Sequence, residues 1–467
     1  MLDTLVTNGT LVSPVGRVPA DLGIGGGRIV GQYRPGEGPA AARTVDAAGL
    51  LVLPGIVDAH FHCRAPGHPE REDFSSGTRA AAAGGATTML EMPLAYPGVH
   101  SGEILRARRE LGESQAYIDF ALYGGGGASD EGIRSMAAEG AIAYKIFLHS
   151  APPGREVEFE GLTATDTASL YRAFERIAPT GLPCAVHSED DDLIEARTAE
   201  LRARGEGGPS AHQQSRPDFV EGLAVAKVLL LAGALGVRLH LPHISTGLAV
   251  ELVKEARGRG QQVSLETCPH YLLANSEDVE RVGPFAKINP PIRPESDRLA
   301  LWQALREGVV DIVASDHAPY TAAEKERGQK VIFDAPSGSA GIETMGPAIF
   351  DRALADEPSA GSGLALSLER AVGLLSERPA RLFELYPRKG CLLPGADADV
   401  VLFDPAGSWE VDRSKFFTKS RDAARLFDGR TFRGRILKTM VRGELVYDEG
   451  QIVGEPGHGQ LVRPSNL

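Results

Sequence analysis

The chain has 467 residues, 42% of them hydrophobic and 24% charged, with a formal net charge of −13. That length holds one catalytic barrel of roughly 250 to 350 residues plus a smaller accessory domain, and the composition lies away from the disordered and membrane classes. The acidic balance, with Lys and Arg scattered rather than clustered, excludes an obvious nucleic-acid or acidic-membrane partner and points to a small-molecule substrate.

Met1 to Thr10 mixes Asp and Asn into its apolar residues and lacks the basic start and continuous apolar stretch of a secretion signal. No run reaches the ~18 apolar residues of a membrane span, so a cytoplasmic protein is expected. Four widely spaced cysteines, Cys63, Cys184, Cys268 and Cys391, form no CxxC pair and read as reduced thiols.

Residues 1–50 alternate short β-prone runs, Thr4 to Val6, Thr10 to Val12 and Arg28 to Val30, with punctuation such as Gly25-Gly26-Gly27. The far end repeats this texture, with a strand at Ala398 to Phe403 and a strand pair around Arg442-Gly443 within Thr439 to Val446. Between them, eight apolar strand-like runs alternate with helical stretches: Leu51 to Val57, Thr87 to Met92, Ile118 to Tyr123, Ala141 to Leu148, Pro183 to His187, Arg238 to Ile244, Gln262 to Thr267 and Asp311 to Ser315. Buried parallel strands read as near-continuous apolar runs, and strands alternating with helices build a parallel sheet. The expected organisation is a (β/α)₈ barrel of the α/β class over 51–388, with 1–50 and 389–467 pairing into a small β-rich side domain built from both chain ends.

In such a barrel, chemistry sits at the carboxyl ends of the strands. The first strand runs into His60-Phe61-His62, whose i and i+2 side chains share a face and can grip one ion. The fourth carries Lys145 inside an apolar run, which calls for a lowered pKa, a partner or a modification; a neutral amine adds carbon dioxide to form a carbamate with two oxygens. His187 closes the fifth strand, His243 the sixth, and Asp316 the eighth. Singly, each has a plain structural alternative: a core histidine bonded to a carbonyl, a lysine reaching to the surface, a helix cap. Together, four His, one Lys and one Asp at five strand ends predict two divalent ions, with zinc favoured, that polarise a carbonyl and acidify a water while Asp316 moves the proton.

The segments GIVDAHFHCRAPG (55–67), SGTRAAAAGGATTMLEMP (76–93), YKIFLH, VHSED, HIS, ETCPHYL (266–272), NPPIR (289–293), SDHAPY and KGCLLPGADADVVLFD (389–404) resemble the cyclic-amidohydrolase branch of the amidohydrolase superfamily, which contains allantoinases, dihydroorotases and hydantoinases/dihydropyrimidinases. The resemblance runs from about Val6 to Gln460. It implies a TIM barrel with a β-sandwich made from both chain ends, ligands at His60, His62, carboxylated Lys145, His187, His243 and Asp316, hydrolysis of a cyclic amide or ureide, and a homo-oligomer, dimer or tetramer. TTMLEMPL and the ending GRTFRGRILKTMVRGELVYD resemble allantoinase, whereas SDHAPYTAAEKERG and NPPIR resemble dihydroorotase. Of the groups with which dihydroorotases hold a carboxylate, Arg64 and Asn289 are present, but Leu94 replaces an Asn and Tyr320 stands where His is usual. Ala95 stands where allantoinases usually have Asn. Arg64, Asn289, Tyr320 and Gly338 are thus the expected substrate contacts, with Arg64 alternatively paired to Glu70 or Asp73. Gly338 to Gly341 with Glu343 form either a loop reading the ring's amide edge or plain surface. His270 and His317 are expected to orient ligands or the base, or else are structural. Relatives of dihydropyrimidinase that lost ligands serve as non-catalytic scaffolds, and the intact ligand set argues against that here.

Overall fold

A computed structural model describes residues 1–355 and 366–465, whose strands sort into two sheets. Residues 466 and 467 of the expected tail lie outside the described residues. The eight-stranded sheet is the barrel: Ile56–Phe61, Ala86–Glu91, Asp119–Gly125, Ala143–Phe147, Cys184–His187, Leu239–Leu241, Val263–Thr267 and Ile312–Val313, each parallel to the next. Helices such as Phe74–Ala83, Gly102–Gln115, Asp218–Leu235 and Glu295–Glu307 return the chain between strands. The first and last strands meet through Asp58, whose buried carboxyl accepts from the Ser315 backbone N–H at 2.9 Å and hydroxyl at 2.6 Å, and through His62 N to His317 O at 2.9 Å.

Alternation along the strands sets which residues reach the barrel axis. Ala121, Tyr123, Ala143 and Ala185 belong to the interior cluster, while Phe120, Leu122, Tyr144, Ile146, Cys184 and Val186 pack outward against the helices. Lys145 lies two residues beyond Ala143 and His187 two beyond Ala185, so both follow the interior parity. The bottom of the barrel is filled by Ala380, Phe383, Leu385 and Val462.

The second sheet has nine strands and joins both chain ends. Leu2–Ser13 spans both expected N-terminal runs. Between Val6 and Gly9 its register shifts, where its parallel partner changes from Ala41–Asp46 to Leu51–Pro54. The run expected as one strand over 51–57 is therefore two. Leu51–Pro54 pairs between Leu2–Ser13 and Val400–Glu410, and Ile56–Phe61 opens the barrel. Gly55 makes the crossing, where a Cβ would meet Thr87 Oγ1 at 2.0 Å. Val52, Val400 and Leu402 face Val6, Leu22 and Ile24 within the sandwich, while Leu51, Leu53, Val401 and Phe403 join the core around the barrel.

Lys389 fastens these two bodies. Its fully buried ammonium contacts Asp399 at 2.7 Å, Asp397 at 3.1 Å, and Asp119 at the start of the third barrel strand. Asp119 also pairs with Arg442 and Asp397 with Arg388, so the buried charges are tolerable only as a set. Lys389→Met is expected to destabilise the chain by about 3 to 5 kcal/mol, measured by denaturant unfolding, because it takes from the buried Asp399 the cation it contacts. A change below about 1 kcal/mol would show the cluster to be well hydrated.

Candidate active site

Each expected ligand sits where its strand ends. His60 is the penultimate residue of the first strand and His62 follows it; Lys145 lies in the fourth strand, His187 ends the fifth, His243 follows the sixth by two residues, and Asp316 follows the eighth by three. His243 and Asp316 both adopt φ of +43°, a left-handed conformation that non-glycine residues rarely take and that clusters at functional sites.

The side chains converge. One ligand atom from each of His60, His62 and Asp316 lies within 4.8 Å of the others, with His60 Nε2 to Asp316 Oδ1 at 3.4 Å and His62 Nε2 to the same oxygen at 3.9 Å. On the other side, His187 Nδ1 lies 3.2 Å from His243 Nε2, and Lys145 Nζ lies 3.5 Å from that same nitrogen. The His60 and His243 rings, 5.1 Å apart between centroids, join the two groups.

Burial decides the charge states. It pushes His60 and His187 down to about 4 and His62 and His243 well below the usual imidazole value, so all four rings are neutral and carry lone pairs. Burial likewise lowers Lys145 and raises Asp316, each shift opposed by attraction to the other group. Among the described residues no carboxylate lies within ion-pair distance of Lys145 Nζ, and its nearest polar contact is an imidazole nitrogen. Neutral imidazoles aiming bare nitrogens at one another, beside a carboxylate and an unpaired amine, form an unfavourable polar cluster by themselves and a suitable donor set for divalent cations. Three of these donors, His60, His62 and Asp316, fit a divalent ion.

A cavity of about 610 Å³ opens over this cluster. His60, His62, Arg64, Lys145, His187, His243, Asn289, Asp316, Tyr320 and Gly338, ten of the positions singled out from sequence, all line it. Arg64 is 3% exposed and pairs with neither Glu70 nor Asp73: among the described residues its Nε and Nη1 have no hydrogen-bond partner, and its guanidinium lies 5.1 Å over the Tyr320 ring. Glu70 contacts His68, and Asp73 caps the helix Phe74–Ala83 and binds Lys419. Burial works against ionisation of Tyr320, but Arg64, Arg155 and Arg71 outweigh it and hold the phenol below its usual value. Asn289 Oδ1 is also buried without a partner. Leu94 packs with Phe147, Phe159 and Leu162 as an apolar wall. Gly338 has φ of +146°, and a Cβ there would meet Ala318 O at 2.4 Å, so this close approach needs glycine.

Three positions fall elsewhere. His317 is fully buried behind Phe61, stacked on it at 4.6 Å; its Nδ1 accepts from the Gly341 backbone N–H at 3.2 Å, and its Nε2 faces Glu72 at 3.1 Å. His270 lies outside the cavity lining on the short helix Pro269–Leu273, its Nε2 unpartnered. Glu343 does not read a ring edge: it begins the helix Ile342–Ala355 and accepts from the backbone N–H groups of Phe417 and Thr418.

The sequence reading missed further residues that stand here. Glu266 contacts His60 at 3.0 Å, Glu189 contacts His187 at 2.9 Å, and Arg71, His149, Arg155 and Lys287 line the cavity. The available signal was a carboxylate closing an apolar strand, in Leu265-Glu266-Thr267 and in Val186-His187-Ser188-Glu189.

A parallel eight-stranded barrel with four neutral imidazoles, a buried lysine and an aspartate at the carboxyl ends of its strands defines a metal-dependent hydrolase. The chain belongs to the Amidohydrolase family, whose model matches residues 51–446. It is 35% identical to the L-hydantoinase of Paenarthrobacter aurescens, over 100% of this chain and 99% of that one, and 36% identical to the allantoinase of Rubrobacter xylanophilus, over 99% and 98%. Its fold superimposes on the solved L-hydantoinase (dihydropyrimidinase) from Arthrobacter aurescens with a TM-score of 0.92, at 34% identity and covering 99% of this chain and 100% of that one.

Proposed function

We propose that the chain opens a cyclic ureide by hydrolysing a ring C–N bond, with allantoin as the first substrate to test and simple hydantoins as the second. The convergence of His60, His62, Lys145, His187, His243 and Asp316 under one cavity is the observation that carries the reading. Divalent ions, zinc by the donor set, would be held by the His60, His62, Asp316 group and the His187, His243 group, and supply Lewis acidity to the scissile carbonyl and to a water. Lys145 is suited to lie between them as a carbamate: burial disfavours its ammonium, the free amine adds carbon dioxide with loss of a proton, and the product is an anion with two oxygens.

Asp316 is the base. It accepts one proton of the water that attacks the ring carbonyl and delivers it to the departing ring nitrogen, so the ring opens to a neutral ureide and a carboxylic acid, which releases its remaining proton to solvent as a carboxylate. Leu94, Phe147 and Phe159 give the ring an apolar wall, while Arg64 and Asn289 supply unpaired polar groups.

Allantoin and hydantoin share the same ring and differ in an exocyclic ureido group, which carries both a carbonyl acceptor and N–H donors. A buried guanidinium with two unpaired nitrogens and an unpaired amide oxygen complement that substituent, which favours allantoin. Leu94, apolar where a carboxylate-binding Asn would be needed, disfavours dihydroorotate. A ring-opening assay across allantoin, dihydroorotate, hydantoin and dihydrouracil tests the order, and turnover of dihydrouracil or dihydroorotate above both imidazolidine rings would refute it. Arg64→Met is expected to raise KM for allantoin by about 10- to 100-fold, the worth of a charged hydrogen bond, while barely changing KM for unsubstituted hydantoin. Equal losses on both substrates would make Arg64 structural. The same reading takes the chain as a cytoplasmic dimer or tetramer, as its resemblance implies, which sedimentation of the purified protein checks.

A further inference from the structure

Two of the four imidazoles are held from behind by carboxylates, and the two carboxylates are different residues on different elements. His187 meets Glu189 Oε2 through Nε2 at 2.9 Å, and Arg216 pairs with the same oxygen at 2.5 Å. His60 meets Glu266 Oε1 through Nδ1 at 3.0 Å, and the other oxygen of Glu266 lies 3.2 Å from His240 Nε2. Both carboxylates are buried. His62, by contrast, has no partner on Nδ1 among the described residues.

A carboxylate only accepts, so each contact forces the facing ring nitrogen to carry the hydrogen and leaves the other bare. In His187 the bare nitrogen is Nδ1, which faces His243; in His60 it is Nε2, which faces Asp316. The two rings are thus fixed in opposite tautomers, each presenting a lone pair to its own side of the cluster. Glu266 also accepts from the backbone N–H of His243 at 3.2 Å, where the backbone holds its left-handed φ. Glu189 makes no such contact with the other side.

We infer that Glu189 and Glu266 are positioning residues that set the two ion affinities separately, Glu189 for the His187 and His243 side, and Glu266 chiefly for the His60, His62 and Asp316 side. The inference rests on the two-ion reading above. Glutamine at either position keeps the shape, but it is neutral and offers a donor as readily as an acceptor, so it no longer dictates the tautomer or strengthens the ligand.

The test is zinc titration of metal-free wild type, E189Q and E266Q against a chelating dye, followed by anomalous diffraction from crystals given one equivalent of zinc. Wild type is expected to bind two equivalents. E189Q should keep one ion at wild-type affinity and bind the second about 10- to 100-fold more weakly. Its single equivalent should lie at His60, His62 and Asp316, whereas in E266Q the single equivalent should move to His187 and His243. Unchanged affinities, or equal weakening of both ions in E189Q, would overturn the inference. Wild type binding fewer than two equivalents would instead overturn the two-ion reading. Thermal unfolding of the metal-free forms separates a loss of fold from a loss of ligand geometry, and should E266Q not fold, E189Q decides alone.

Discussion

Asp316→Asn is expected to lower kcat by about 10²- to 10⁴-fold, or roughly 3 to 5.5 kcal/mol in the barrier, while both metal ions remain bound. The carboxamide has the same shape and still presents an oxygen where Asp316 Oδ1 lies 3.4 Å from His60 Nε2. What it lacks is the capacity to take a proton and give it back. Burial already raises the affinity of this carboxyl for a proton, which suits a group that must accept one from water and release it to a ring nitrogen. Steady-state kinetics with metal analysis on the same sample separates the roles. A variant that loses its ions along with its rate would make Asp316 a ligand first, and a variant that keeps its rate would place the base elsewhere.

Lys145→Ala is expected to reduce turnover by about 10³-fold or more, since it removes the anion that would join the two sides of the cluster, a contribution of several kcal/mol. The lysine is 0% exposed and lines the cavity, so truncation enlarges that cavity among its polar groups. A short carboxylic acid such as acetate or propionate should enter that space and restore part of the rate, because it supplies the two oxygens of the carbamate without the covalent link. Reloading metal-free wild type with zinc should likewise require bicarbonate. Full reactivation in its rigorous absence, or undiminished turnover by the alanine variant, would remove the bridging role.

The convergence of the proposed ligands was legible in the sequence because, taken together, they are unusual at five strand ends. Each residue alone has a plain structural alternative, but a lysine in Ala143–Phe147 together with histidines at the ends of several apolar runs does not, and strand periodicity alone brings His60 and His62 to one face. The second barrier to reading was proximity created only by folding. Glu266 lies 206 residues from His60, a pairing that leaves no short-range pattern, whereas Glu189 lies only two residues beyond His187 and its local signal was passed over. Lys325 shows the same limit: it stands in a charged stretch that looks like surface, yet it is fully buried, donating to the backbone carbonyls of Lys287, Pro336 and Gly338 and so fastening the loop beside the cavity.

The fold was legible from the same alternation, with several displaced boundaries: Arg238 to Ile244 and Asp311 to Ser315 are strands only over Leu239–Leu241 and Ile312–Val313, and Leu51 to Val57 divides in two. Leu51 to Val57 is apolar throughout because both sheets bury both faces there, so hydrophobicity could not mark the passage from Leu51–Pro54 to Ile56–Phe61. Gly55 marks it sterically, through a contact with Thr87 that only the folded chain makes. Glu343 was misplaced for a related reason: the loop after the eighth strand does reach the cavity at Gly338, but the helix Ile342–Ala355 has already turned away, toward Phe417 and Thr418.

Anomalous diffraction at the zinc edge from crystals of the unaltered chain, grown with zinc and bicarbonate, is the most direct measurement of the central claim. Two peaks are expected at the carboxyl end of the barrel, one among His60, His62 and Asp316 and one beside His187 and His243, with density extending Lys145 between them. A single peak, or two peaks with Lys145 ending at its amine, would contradict it.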